Sequence, residues 1–109
     1  MLSFKPRWPE LASFLGILIS VLRYHVAYYR PKEDDRMVVA EVLDFPGVVS
    51  QGFDLADARV MIASALEEIA QMFLEEGRPL PIPNPEASAP DADLVAVLPL
   101  SVEVGVPKQ

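Results

Sequence analysis

Apolar and polar positions along this chain switch between a period of two and a period of three to four, and the switches mark its elements. Arg23–Tyr29 sets Tyr24, Val26 and Tyr28 against His25, Ala27 and Tyr29. That aromatic and β-branched alternation predicts a strand. Arg30–Arg36 is a charged connection, and Met37–Leu43 predicts a second strand with Val38, Ala40 and Val42 on its apolar side. The stretch Glu41–Gly52 closes that strand, turns through Asp44-Phe45-Pro46-Gly47 and opens a short third strand, Val48–Phe53. Proline presets φ for a tight turn and glycine accepts positive φ at little cost.

The period then changes. Leu55, Ala58, Ile62, Leu66, Ile69 and Phe73 recur at three- and four-residue steps, with Asp57, Ser64, Glu68, Gln71 and Glu75 opposite them. This predicts an amphipathic helix over Leu55–Glu76, with Asp54 as N-cap, Asp57 satisfying another orphan amide and complementing the helix dipole, Gly77 at C′ and Pro79 forbidding continuation. Arg78–Pro90 carries prolines at 79, 81, 83, 85 and 90 and reads as an extended, mobile connector. Leu94–Val104 resumes the alternation, and Pro99, lacking an amide, places that strand at a sheet edge or at a bulge. A crossover helix before it allows this last strand to run parallel to a strand of the meander.

Leu11–Leu22, LASFLGILISVL, is uncharged. It falls short of the roughly 18–20 apolar residues that span a bilayer. Leu11, Phe14, Leu15, Leu18 and Leu22 share a face at helical spacing, so a helix is expected here. Ala12, Gly16 and Ser20 form a small-residue stripe that admits a close backbone. Three readings of residues 1–22 stay open: a docking or self-association helix, a helix laid on its own domain, and a start codon placed too early. Lys5 and Arg7 before the apolar run resemble a signal peptide, but His25-Val26-Ala27 makes a poor cleavage site inside an expected strand. A cytoplasmic protein is the expectation.

The fold class expected is therefore α+β in the order β-β-β-α-β, one sheet under one main helix, plus an N-terminal apolar helix. The organisation is an extension over 1–22, a domain over 23–104 and a tail over 105–109. At 109 residues the chain holds one modest core. It is 51% hydrophobic, with much of the excess in the N-terminal run. Without cysteine, disulfides, thiolate metal sites and thiol nucleophiles are excluded. The net charge of −7 divides into +3 over residues 1–30 and −10 over residues 31–109. An acidic body repels phosphates, so direct nucleic-acid binding is disfavoured, whereas a basic protein would be attracted.

The words YHVAYYRPKEDDRMVVAEVLDFPGVVSQG and DLADARVMIASALEEIAQMFLEEGRPLPIP, in this order, resemble the HicB family of antitoxins. The matching positions are Asp44, Phe45, Pro46 and Gly47 at the turn, then Ser50, Gln51 and Gly52. Leu55 and Ala58 match at the helix start, and Glu75, Glu76, Gly77, Pro79 and Pro81 at its end. The resemblance covers about residues 23–104. It implies a partial ribonuclease-H-like sheet, no catalysis and no cofactor, and binding of a small basic RNA-cleaving toxin of a type II toxin–antitoxin pair. The chain departs from the family where many members carry a C-terminal DNA-binding domain, and in residues 1–22.

Nuclease chemistry would need carboxylates converging on paired metal ions about 4 Å apart. The expected first strand offers none, which leaves Glu41, Asp44, Glu67 and Glu68 an incomplete set. No metal and no catalytic residue is expected. His25 stands alone between tyrosines, as a packed or solvated side chain. Candidate partner-binding residues are Glu33, Asp34 and Asp35, an acidic landing site or simply a solvated turn, and Asp44 and Phe45 at the strand end. Phe45 is either an exposed anchor or packed inward over the helix. A homodimer or higher oligomer is expected, through the small-residue stripe or an exposed edge strand.

Overall fold

The computed structural model describes residues 17–31 and 36–105. Its elements are β1 (Ile17–Tyr29), β2 (Val38–Val42), β3 (Val49–Gly52), α1 (Leu55–Glu75) and β4 (Leu94–Gly105). Over the described residues the fold is α+β, with one four-stranded antiparallel sheet in the order β3-β2-β1-β4 and one helix. The chain divides into two compact units, residues 23–100 and a second made of Met1–Leu22 with Ser101–Gln109. The first of these units holds the core.

The alternation read in the sequence sets the register. Val26 lies opposite Val42 and Tyr28 opposite Ala40, while Val38 lies opposite Gly52 and Ala40 opposite Ser50. Tyr24, Val26, Tyr28, Val38, Ala40 and Val42 are all buried on one face. The helix lies over β2 and β3 and lowers Ala58, Ile62, Leu66 and Ala70 onto that face. Leu55, Ile69 and Phe73 are half-buried at its margins, and Ser64, Glu68, Gln71 and Glu75 are exposed. Gly52 lets the helix come this close: a Cβ there would overlap the backbone N of Ala58 and stand 2.7 Å from the carbonyl carbon of Asp57.

Both helix ends are closed as the sequence predicts. Oδ1 of Asp54 accepts the amide of Asp57 at 2.8 Å, and Oδ2 of Asp57 accepts the amide of Phe53 at 2.9 Å. At the other end Gly77 has φ +72°, its amide donates to the carbonyl of Leu74, and the amide of Arg78 donates to that of Phe73. This is a Schellman closure. Its usual apolar contact is replaced by the Arg78 guanidinium, 3.8 Å above the Phe73 ring. At the β2–β3 turn the amide of Val48 donates to the carbonyl of Phe45, with Gly47 at φ +93°, the pattern of a type II turn.

Two expectations are corrected. The helix expected over Leu11–Leu22 is not formed in the described part: Ile17–Leu22 is the first half of β1. β-branched Ile17, Ile19 and Val21 continue the alternation of residues 23–29, so one long strand forms where helical spacing also fitted. The remainder of that run lies outside the described residues. Nor is β4 parallel to the meander. The segment after α1 doubles back to the end of β1, where the amide of Asp93 donates to the carbonyl of Tyr28 at 2.8 Å, and β4 enters antiparallel. Pro99 lies in this edge strand, as its missing amide requires.

Candidate functional site

The densest polar arrangement centres on Asp44, at the end of β2, whose side chain is only 3% exposed. Its Oδ1 accepts the main-chain amide of His25 at 2.8 Å. Its Oδ2 meets Nδ1 of the His25 ring at 2.8 Å and accepts the main-chain amide of Asn84 at 2.9 Å. Burial works to raise the carboxyl, but the hydrogen bonds from His25 and Asn84 outweigh it and hold the group below its ordinary value. Asp44 is thus ionised at neutral pH, and Nδ1 of His25 is the donor.

This carboxylate joins β1, the β2–β3 turn and the proline-rich segment. A second tie lies close by: the hydroxyl of Tyr24 donates to the carbonyl of Pro81 at 2.6 Å. The Tyr24 hydroxyl is pushed above its ordinary value by burial and by the charge of Asp44. The segment after the helix is therefore an anchored strap rather than the mobile connector expected. Between the two ties Phe45 is fully buried, its ring 5.4 Å from that of Tyr24 and edge-on to Phe73 at 5.1 Å. Such aromatic contacts add about 1 kcal/mol each beyond the area they bury.

Of the sequence candidates, Asp44 and Phe45 are brought together, but inward. Phe45 takes the packed alternative, its ring buried against Tyr24 of β1 and Phe73 of α1. Both oxygens of Asp44 are engaged within the chain, so neither residue offers the exposed contact a partner needs. Glu33, Asp34 and Asp35 lie outside the described residues. The His25–Asp44–Asn84 node was missed by the sequence reading, since its members stand 19 and 40 positions from Asp44. A histidine oriented by a carboxylate is half of an acid–base apparatus. No serine hydroxyl is hydrogen-bonded to the ring among the described residues, and no group of three His, Asp or Glu side chains there could hold a metal ion.

Two surfaces remain. The outer face of α1 presents Ser64, Glu67, Glu68, Gln71 and Glu75, flanked by Met61 and Met72, which are 43% and 44% exposed. The sheet face turned away from the helix presents valines. Leu94 lines a hollow of about 210 Å³ with Tyr28, Val38 and Leu55, and Leu100 is buried while Val95 and Val97 are exposed, so even-numbered residues of β4 face the helix. Val95 and Val97 therefore lie on the opposite face with Val39 and Val49. The hollow is smaller than a typical small-molecule site of about 300–1,000 Å³.

The geometry defines a class: an α+β layer of one antiparallel sheet and one helix, closed by a strap pinned on Tyr24 and Asp44. Compared with family models, curated proteins and solved structures, the chain matches none of them. No described helix is long and apolar enough to cross a membrane.

Proposed function

We propose that this chain is a HicB-like antitoxin module, a cytoplasmic protein-binding domain that neutralises a small basic RNA-cleaving toxin. One observation carries the reading: the family's words fall on the joints of the fold in the family's order. Asp44-Phe45-Pro46-Gly47 makes the β2–β3 turn, Ser50-Gln51-Gly52 ends β3 beneath the helix, and Glu75-Glu76-Gly77 closes α1. The ribonuclease-H-like relationship belongs to the same proposal. The order β3-β2-β1-β4 with a helix after β3 supports it, whereas the antiparallel sense of β4 departs from the parallel crossover that the helix would allow.

Charge supplies the sign of the partner. Residues 23–100 hold fourteen acidic and six basic side chains. Glu67, Glu68 and Glu75 stand exposed along one side of α1. Such a field raises the rate of encounter with a cation more than it tightens the complex, and salt screens it. The partner contact expected of Asp44 and Phe45 passes to this helix face. Calorimetric titration of the chain with the purified toxin tests the reading. Binding should weaken as salt rises and fall in a variant with Glu67→Lys, Glu68→Lys and Glu75→Lys together; binding indifferent to both salt and those changes contradicts it.

A further inference from the structure

The sheet face away from α1 leaves Val49, Val95 and Val97 exposed by 56, 39 and 54%. Val39, Leu43 and Tyr29 are half-buried beside them. Flat, β-branched faces of this kind pack sheet against sheet at a separation of about 10 Å. An apolar face left in water marks an interaction surface, and its charges identify the occupant.

Among the described residues of 23–100, every carboxylate but Glu41 lies on the helix, at its caps, or in the turns and the strap. On the open face, the strand residues 23–29, 38–42, 49–52 and 94–100 contribute one formal cation, Arg23, and one formal anion, Glu41. Both are exposed, and neither makes an ion pair within the chain among the described residues. A second copy would meet one charge of each sign on the two central strands, Arg23 on β1 and Glu41 on β2, an arrangement that is self-complementary about a two-fold axis.

The register places the axis. Glu41 is opposite Ala27, two residues along β1 from His25 in one direction, and Arg23 is two residues from His25 in the other. A two-fold axis passing near His25 sets Arg23 of each copy over Glu41 of its mate. Pairing through strand edges is the poorer alternative, because β4 carries Pro99 and β3 has four residues. We propose that two copies of this chain pack face to face through the open side of the sheet, with reciprocal Arg23–Glu41 pairs over the two central strands and the exposed valines of β3 and β4 on either side of them. This leaves the acidic helix face of each copy outward and does not depend on the toxin reading.

Sedimentation equilibrium of the full chain at micromolar concentration, neutral pH and moderate salt tests this. The expected mass is twice the 12.0 kDa of one chain. Val49→Glu or Val97→Glu should weaken dimerisation at least about tenfold. Arg23→Glu and Glu41→Arg should each weaken it, and the double variant should restore it. Circular dichroism checks each variant for folding. Should a valine variant fail to fold, the charge exchange between exposed positions still decides. A monomeric wild type, a dimer indifferent to all these changes, or a monomer that takes a basic protein on this face overturns the proposal.

Discussion

The carboxylate of Asp44 holds His25 by main chain and side chain at once, Oδ1 on the amide and Oδ2 on Nδ1, each at 2.8 Å. Because Oδ2 also accepts the amide of Asn84, one side chain fixes three segments. Asp44→Asn keeps the shape but turns one acceptor into a donor. Whichever way the amide points, a main-chain N–H then faces an NH₂ group or loses its charged acceptor. Hydrogen bonds to a charged group contribute about 1.5–3 kcal/mol, so the variant should lose roughly that much stability. Urea unfolding of both proteins measures it.

The same carboxyl sets a direction with pH. Burial acts to raise it, but the hydrogen bonds from His25 and Asn84 hold its folded value below the ordinary carboxyl value that the unfolded chain restores. Above the unfolded value its stabilisation is fully present. As pH falls toward and through the lower folded value, the unfolded state takes up the proton first and stability is lost. Urea midpoints should therefore drop in this acid window, and Asp44→Asn should flatten the drop. An unchanged slope in the variant would remove Asp44 as its source.

Two glycines should respond unequally to alanine. At Gly47 a methyl group meets nothing within 4 Å, so the cost is that of φ +93° alone, about 1 kcal/mol. At Gly52 the methyl would strike the first turn of α1, with the Cα of Ala58 at 2.8 Å, and the helix must lift from β3. Overpacking of this kind costs about 1–3 kcal/mol. Thermal unfolding of Gly47→Ala and Gly52→Ala compares them, and the second should be the less stable.

Tyr24→Phe removes the hydroxyl that holds Pro81 while keeping the ring against Phe45. The loss should be about 1 kcal/mol. More telling, hydrogen exchange at the Asn84 amide should quicken, because the strap loses one of its two ties. Exchange unchanged from wild type would mean that Asp44 alone holds the strap.

What the sequence disclosed was local. Helix α1, its Asp54 cap, the Gly77 closure and the Pro46-Gly47 turn each depend on residues within a few positions of one another, and each stands where periodicity and turn chemistry put it. Pro99 announced an edge strand for the same reason. Ile17–Leu22 misled because an uncharged run of leucines, isoleucines and valine satisfies a helical stripe and a strand equally well. Pairing partners decide between them, and those partners are remote. The strap was legible as extended but not as anchored, and the inward turn of Phe45 was one of two readings left open. The node at Asp44 is assembled by tertiary closure between segments whose spacing carries no signal.

Capture and silencing of a basic ribonuclease is the role proposed for this domain. The most direct measurement is growth of cells expressing the small open reading frame adjacent to that of this chain, with and without the chain co-expressed. Restored growth and a soluble complex of the two proteins are expected, with rescue reduced by Glu67→Lys, Glu68→Lys and Glu75→Lys together. Continued arrest in cells that hold the folded chain in excess would contradict that role.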